Sequence, residues 1–341
     1  MSRRPLRVLT WHVHGTYLWS LTQVGHRILL PVRPGDGPGG APEGYAGRAP
    51  GRPWPDTVEE VPADAVAGLP DDAVDVVVTQ SHRNWEVDRY EILSPRQRAL
   101  PRVHVEHDPP REHPTDTRHP VDDPGTLIVH VTHFNRLMWD CGDVPTTVVE
   151  HGVPEPPPGV RWTGELERAL VVVNGLDVRG RRVGADIVAR LRRQVPLDVV
   201  GMGSEAPSVG GLGEVPPAEL PAFAARYRTF VHPIRYTSLG LGLCEALMLG
   251  MPVVGLATTE LPTVLEHGRS GLLTADADAL AGLVRMLLDD RDLAARIGGA
   301  GRDVARTRFG LGRFRADWDR VLRTVAERGA DVPAAVAWAG R

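Results

Sequence analysis

The stretch best suited to chemistry runs TSLGLGLCEALMLGMPVVG over residues 237–255. A glycine-spaced loop leads into an apolar segment of helical character with a single acidic residue, Glu245, and a Gly-x-Pro turn then precedes a short apolar strand. A helix that begins this way leaves backbone N–H groups free and directs the positive end of its dipole outward, which suits a phosphate. Glu245, one turn into the helix, is placed to accept hydrogen bonds from hydroxyls beside that phosphate. A phosphate next to a diol indicates a nucleotide or a nucleotide sugar.

Arginines near residue 180 are the cations that such a phosphate needs. The run NGLDVRGRRVGAD over residues 174–186 carries three of them. A guanidinium presents a fork of donors that matches phosphate oxygens, and each charge-assisted hydrogen bond contributes roughly 1.5–3 kcal/mol. We expect Arg179 and Arg182 to bind a diphosphate; the alternative interpretation is a solvated surface loop.

Two histidines lie where α/β sheets place their ligands, at the C-terminal ends of strands. His107 follows the strand candidate RVHVE, and His14 stands beside Gly15 after the first strand candidate of the chain. Both are candidates for contact with a substrate. The alternative for each is a histidine whose hydrogen bonds are satisfied within its own loop.

No metal site is expected. The pairs His130–His133 and His113–His119 have the residue types of metal ligands. On a strand, however, His130 and His133 would point to opposite faces, which prevents chelation.

The composition, with 42% hydrophobic and 24% charged residues, is that of a soluble globular protein. A net charge of −4 gives no electrostatic footprint for nucleic acid or an anionic membrane. Cys141 and Cys244 are the only cysteines, which argues for a reducing compartment and against a disulfide framework. No run reaches the ~18 apolar residues of a membrane span, and no apolar segment follows the basic N-terminus. We therefore expect a cytoplasmic protein without a transmembrane span.

Strand and helix candidates alternate along both halves of the chain, as in parallel α/β sheets. The first half has a long Gly- and Pro-rich loop over residues 33–56, and its strands are expected at 6–11, 26–32, 73–79, 102–106, 126–132 and 146–150, with helices at 17–24, 87–93 and 135–141. A Pro-rich break follows at 151–159. Strands of the second half are expected at 169–174, 197–200, 229–232, 252–256 and 271–274, with helices at 184–194, 219–226, 261–266, 277–289, 292–308 and 312–327 and a frayed tail from 328.

These residues resemble the GT-B glycosyltransferases, specifically the large retaining family 4 type. The resemblance covers residues 145–325 well, whereas the first half matches in general layout alone. The segments that carry it are VEHGV at 149–153, GEVP at 213–216, HP at 232–233, EAL at 245–247, GMPVV at 250–254, LPTVLEHG at 261–268 and SGLL at 270–273. One departure is Thr237, which stands where the family has a first glutamate that contacts the donor sugar; seven residues separate it from Glu245. Another is Leu176 at the position of the family's usual arginine.

The resemblance implies two Rossmann-like domains with parallel sheets facing an interdomain cleft. Residues 1–150 would bind the acceptor and residues 151–315 the nucleotide sugar, while residues 316–341 would form a helix crossing back to the first domain and a tail. The expected donor-site residues are Gly15, Arg179, Arg182, Gly203, Val215, Ser238, Leu239, Gly240, Leu241 and Glu245, of which the two arginines come from the residue pattern described above and not from the resemblance. His107 and Thr237 would act at the reacting sugar, and His14 and Tyr17 would contact the acceptor.

The implied reaction is glycosyl transfer with retention from a nucleotide sugar to a small-molecule or glycan acceptor, without a cofactor or a metal. Two alternatives remain. With Thr237 in place of glutamate, the chain could bind nucleotide or a partner without turnover. It could also be a nucleotide-sugar epimerase, which shares the GT-B architecture.

Overall fold

A computed structural model describes residues 4–35 and 42–328 of the chain. The chain divides into two α/β units. Met1–Gly152 together with Gly312–Arg341 make up the first unit, and Val153–Leu311 make up the second. The last helix therefore belongs with the N-terminal half.

Among its described residues, the first unit has a seven-stranded parallel sheet with the order β3-β2-β1-β4-β5-β6-β7. The strands β4 and β6 are buried along their whole length, as expected for a parallel sheet covered on both faces. The bounds are β1 (Arg7–Thr10), β2 (Arg27–Val32), β3 (Val58–Pro62), β4 (Val76–Thr79), β5 (Arg102–Glu106), β6 (Thr126–His130) and β7 (Thr146–Val148).

Short helices connect these strands, and one long helix returns to them from the C-terminal end of the chain. On that last helix Phe314, Trp318, Leu322 and Val325 are fully buried, and the indole N–H of Trp318 donates to the Tyr17 hydroxyl over 3.2 Å. The helices are α1 (Gly15–Thr22), α2 (Arg89–Ile92), α3 (Pro95–Arg98), α4 (His133–Met138) and, after the second unit, α12 (Leu311–Arg328), with a 3₁₀ segment at Ala63–Gly68 and a π-helical turn at Asn84–Asp88.

The second unit has a five-stranded parallel sheet in the order β12-β11-β10-β8-β9. Alternate residues of β8 face two separate apolar clusters: Val171 packs with Ile187 and Val284, whereas Leu170 packs with Phe230 and Leu247. The strands are β8 (Leu166–Val172), β9 (Leu197–Val200), β10 (Tyr227–His232), β11 (Val253–Leu256) and β12 (Leu272–Thr274).

Seven α-helices flank this sheet within the described part of the second unit. The longer ones carry an apolar stripe toward the sheet and charged residues outward, which is the pattern of a surface helix. They are α5 (Leu176–Arg179), α6 (Ala185–Leu191), α7 (Leu220–Ala224), α8 (Leu241–Leu249), α9 (Leu261–Val264), α10 (Leu280–Asp289) and α11 (Arg291–Arg308), with a 3₁₀ segment at Gly180–Val183.

The structure differs from the sequence-based expectation in a few elements. The strand β3 and the short helices α3 and α5 were not expected. The predicted helix at 87–93 begins as the π-helical turn at Asn84–Asp88. Part of the predicted loop at 33–56 and nearly all of the predicted tail lie outside the described residues.

None of the helices within residues 4–35 and 42–328 combines the length and the apolar character that crossing a bilayer requires.

Candidate functional site

The second unit has a topological switch point between β8 and β10. The chain leaves β8 toward one edge of the sheet and leaves β10 toward the other. In open α/β sheets ligands bind outside the carboxyl ends of the strands at such a point. The loops that follow β8 and β10 are the two that carry the predicted donor-site arginines and the glycine-spaced stretch.

Backbone contacts hold these two loops together. The carbonyl of Arg182 accepts the N–H groups of Arg235 at 3.0 Å and Tyr236 at 3.1 Å. Gly184 has φ +87°, and a Cβ on it would lie 2.2 Å from the carbonyl oxygen of Pro233. Glycine is therefore required here both for its conformation and for the close approach of the other loop.

The arginines near the switch point divide into two groups. Asp186 pairs with Arg181 at 2.8 Å and with Arg235 at 2.6 Å, and the hydrogen bond from Arg235 is the main cause of the lowered pKa of this carboxyl. Arg179 and Arg182 are half-buried in the same loop. Sequence reasoning missed Arg235, whose link to Asp186 joins two segments far apart in the chain.

The helix α8 begins as the sequence predicts. Gly240 is its N-cap in an extended conformation, and the N–H of Leu243 makes an early intrahelical bond to the Gly240 carbonyl at 3.1 Å. The N–H groups ahead of it, including that of Leu241, have no carbonyl one turn earlier within the helix. Leu239 is buried, so only its backbone is suited to the predicted contact. Glu245 lies half-buried on the same helix.

Thr237 is placed differently from its prediction. Its side chain is only 4% exposed, and its hydroxyl donates to the carbonyl of Ser238 at 2.8 Å. A buried hydroxyl that is already bonded to its own loop is not presented to a donor sugar. In this conformation Thr237 shapes the turn before α8, and the structure gives no support to a direct catalytic contact.

Gly203 and Val215 come next to the loop that follows β8. The N–H of Gly175 donates to the Met202 carbonyl at 2.8 Å, and that of Gly201 donates to the Gly213 carbonyl at 3.0 Å. Val215 is half-buried beside one of the two apolar clusters. The three loops that follow β8, β9 and β10 thus converge at the carboxyl ends of these strands.

A buried histidine at this edge was not among the predicted site residues. His232 ends β10, and a Cβ on Gly240 would lie 4.0 Å from its ring. Burial lowers the pKa of His232 to about 4, so the ring is neutral at pH 7. The signal that points to it is a histidine at the last position of an otherwise apolar strand.

In the first unit, three predicted residues meet beside the start of α1. The rings of His14 and His107 are 4.3 Å apart between centroids, and that of Tyr17 lies 4.7 Å from His107. Gly15 is the first residue of α1, ahead of the first intrahelical bond, which the N–H of Leu18 donates to the His14 carbonyl. Burial, with the charge of His14 as a smaller cause, holds the pKa of His107 well below its usual value.

Tyr17 is the buried member of this group. It is 1% exposed, its hydroxyl accepts the Trp318 indole N–H, and burial raises its pKa. The enclosed Tyr17 ring packs against the His107 ring and holds it in place. The expected direct contact between Tyr17 and an acceptor does not fit this placement.

Two solved structures share the overall architecture. A glycosyltransferase from Rickettsia africae ESF-5 matches 96% of this chain and 100% of its own, with a TM-score of 0.66 at 13% identity. Anabaena Alr3699/HepE, solved in complex with UDP and glucose, matches 94% of this chain and 100% of its own, with a TM-score of 0.66 at 14% identity. The fold is therefore that of the GT-B glycosyltransferases, and the predicted fold class is confirmed.

The match to a sequence family lies within the second unit. The family model described as glycosyl transferases group 1 matches residues 158–290. That stretch contains the three converging loops and α8. Over these residues the second unit is therefore similar to the glycosyl transferases group 1, which agrees with the resemblance seen in the sequence.

The curated relatives match over short stretches. The O-antigen chain mannosyltransferase B of Escherichia coli is 41% identical over 92 residues, which are 26% of this chain and 24% of that protein. A GDP-mannose-dependent alpha-(1-6)-phosphatidylinositol monomannoside mannosyltransferase of Mycobacterium tuberculosis is 34% identical over 100 residues, 27% of this chain and 26% of that protein. The chain therefore spans about a quarter of the length of each of these relatives.

Proposed function

We propose that this protein transfers a glycosyl unit, with retention, from a nucleoside-diphosphate sugar to a small-molecule or glycan acceptor. The observation that carries the proposal is the switch point of the second unit. There α8 begins in a glycine-spaced turn directly beside the loop of Arg179 and Arg182. Open helical N–H groups and guanidinium groups at one edge of a sheet fit a diphosphate.

Glycosyl transfer from a nucleotide sugar requires stabilisation of the diphosphate leaving group. As the bond between the sugar and the diphosphate breaks, negative charge grows on the phosphate oxygens, and oriented donors stabilise it. Guanidinium and N–H groups supply that stabilisation without a metal ion at the diphosphate. No nucleophilic side chain is proposed, so positioning of the two substrates supplies the remaining rate enhancement.

The donor proposed for the first trials is GDP-mannose. The two curated relatives described above are named as mannosyltransferases, and the name of one specifies GDP-mannose. The structural relative from Anabaena was solved with UDP and glucose. GDP and UDP, and their mannose and glucose conjugates, therefore form the natural set of ligands to compare.

The test is calorimetric titration of the full chain with GDP and UDP, followed by assay of nucleoside diphosphate release from the sugar conjugates. Glu245→Ala should weaken nucleotide binding roughly ten- to a hundred-fold, because a charge-assisted hydrogen bond contributes about 1.5–3 kcal/mol. Thr237→Ala should weaken it less, since its hydroxyl is bonded within the loop. Glu266→Ala removes an exposed carboxylate of the same unit that pairs with Arg269 and serves as the matched control.

Failure of every nucleotide to bind would overturn the proposal. A larger loss for Thr237→Ala than for Glu245→Ala would overturn the prediction that Glu245 accepts hydrogen bonds from the hydroxyls beside the phosphate. An equal loss for Glu266→Ala would show that the effects are not specific to the site.

The buried hydroxyl of Thr237 favours one alternative, a protein that binds nucleotide without transferring sugar. Such a protein would bind GDP or UDP with normal stoichiometry and release no nucleoside diphosphate from any donor in the presence of acceptors. Conversion of the donor sugar without an acceptor would instead indicate an epimerase.

A further inference from the structure

A cluster of three histidines and a glutamate lies within the first unit, and the proposed function makes no use of it. His104, Glu106 and His119 are buried and His82 is half-buried, and one ligand atom from each lies within 4.8 Å of all the others. The Glu106 Oε2 atom is 2.9 Å from His82 Nε2, 3.0 Å from His119 Nε2 and 3.9 Å from His104 Nε2. A single buried oxygen is thus faced by three imidazole nitrogens.

The strand β5 explains how two of these groups come together. His104 and Glu106 are two residues apart, and alternate residues of a strand point to the same face. His82 reaches them from the segment after β4, and His119 from the segment between β5 and β6. The cluster therefore ties two separate segments to the end of β5.

Contacts outside the cluster fix the orientation of each group. The other oxygen of Glu106 accepts the Asp108 N–H at 2.8 Å, and His104 Nδ1 is 2.9 Å from the Thr79 hydroxyl. His119 Nδ1 accepts the N–H of Val121 at 3.0 Å. Such outer hydrogen bonds are what orient metal ligands and select the tautomer of a histidine.

These partners assign the protons. Because His119 Nδ1 accepts, its Nε2 carries the proton and donates to Glu106. The Thr79 hydroxyl can donate to the Val103 carbonyl at 3.4 Å and accept from His104 Nδ1, which leaves a lone pair on His104 Nε2. That Nε2 atom is buried and has no hydrogen-bond partner among the described residues.

We propose that His82, His104 and Glu106 bind a divalent transition-metal ion of the Zn²⁺ class, with His119 holding Glu106 from outside. Two imidazole nitrogens and one carboxylate oxygen form a ligand set typical of this ion, at bond lengths of about 2.0–2.2 Å. Ligand atoms around such an ion stand about 3.4 Å apart, which lies between the 2.9 and 3.9 Å separations from Glu106. On binding, the His82 proton moves from Nε2 to Nδ1 by exchange with solvent, so that the Nε2 lone pair binds the ion and Glu106 stays a carboxylate.

The test uses the full chain, stripped with EDTA and exchanged into metal-free buffer. Titration with Zn²⁺ should show one ion per chain by calorimetry and elemental analysis and should raise the melting temperature. His82→Ala is the main variant, because that side chain is the most exposed of the four. His119→Gln changes a residue outside the ligand set and should lower the Zn²⁺ affinity roughly 10- to 100-fold. His82→Ala removes a ligand and should lower the Zn²⁺ affinity by more than that. Circular dichroism reports whether each variant is folded.

His113→Ala is the matched control, because His113 is an exposed histidine in the same segment as His119. Co²⁺ in place of Zn²⁺ should give the visible bands of nitrogen and oxygen ligands without a thiolate charge-transfer band, since Cys141 is not in the set. Failure to take up Zn²⁺, equal losses for His82→Ala and His113→Ala, or a thiolate band would overturn the proposal and leave a hydrogen-bonded network.

Discussion

One carboxylate near the N-terminal end of the first sheet is held by two arginines. Asp75 accepts the backbone N–H of Arg7 at 2.8 Å and hydrogen bonds from the side chains of both Arg4 and Arg7. Burial alone would raise the pKa of Asp75, but these hydrogen bonds lower it well below its usual value. The carboxylate therefore links β1 to the start of β4 through its negative charge.

We predict that Asp75 makes the free energy of unfolding depend on pH. Its pKa is lower in the folded chain than in the unfolded chain, so its contribution is present above pH ~4. That contribution is lost as the pH falls through the folded value. Asp75→Asn should destabilise the protein more at pH 7 than at pH 3 in urea denaturation. Asp72→Asn is the control, since Asp72 contacts Arg7 while 84% exposed, and an equal pH dependence would contradict the prediction.

Sequence reasoning at the residue scale succeeded where the partners are close along the chain. The turn before α8 and Glu245 belong to one continuous stretch, so the pattern of glycine and apolar residues was enough to predict the helix start. Asp186 and Arg235 are 49 residues apart, and His82 and Glu106 are 24 apart. Pairs of this kind depend on how strands are ordered in a sheet, which local patterns do not specify.

At the scale of elements, the helix α11 approaches the turn between α8 and β11 very closely. Gly298 faces that turn, and a Cβ on it would lie 2.1 Å from the carbonyl oxygen of Gly250. Gly299, the next residue on the helix, has nothing within 4 Å of the same position. Both glycines are in the same helix, but only Gly298 lacks room for a Cβ atom.

This pair gives a matched prediction. Gly299→Ala should stabilise the protein by up to about 1 kcal/mol, because alanine is the better helix former. Gly298→Ala gains the same propensity but forces the helix away from a backbone carbonyl, so it should destabilise. Urea denaturation measures both, and a stabilised Gly298→Ala variant would show that the helix shifts at little cost.

Two buried strands, β5 and β9, were predicted with the bounds that the structure has, whereas the fully buried β4 begins three residues later than expected. Apolar residues between turns mark such strands but do not fix where they begin. The edge strand β3 was missed because its sequence, VEEVP, exposes two glutamates and buries only Val58 fully. Its strand character depends on pairing with β2, which a polar sequence does not reveal.

At the scale of the whole molecule, the first unit is discontinuous in sequence and the second is not. Both apolar clusters of the second unit consist of residues between 153 and 309. The first unit includes α12, whose Arg313 donates to the carbonyls of Glu150 and His151 and whose Phe314 ring lies 5.6 Å from that of Tyr17. Residues near both ends of the chain therefore share one core.

We predict that residues 153–311, expressed alone, unfold cooperatively in urea. Residues 1–152 alone should lack a cooperative transition, because the surface that Phe314 and Trp318 cover would be exposed. Joining residues 312–328 to 1–152 through a flexible linker should restore the transition. Equal unfolding midpoints for the first-unit fragment with and without that addition would contradict this prediction.

The position of α12 sets an order of assembly on the ribosome. Residues 1–152 are synthesised first, yet the helix that completes their core emerges only after the whole second unit has been made. The second unit can therefore finish folding before the first unit does. Until α12 has been made, the apolar surface of residues 4–152 that α12 covers stays exposed. Such an interval is when a nascent chain is most exposed to aggregation, so the synthesis of α12 decides when the apolar surface of residues 4–152 is covered.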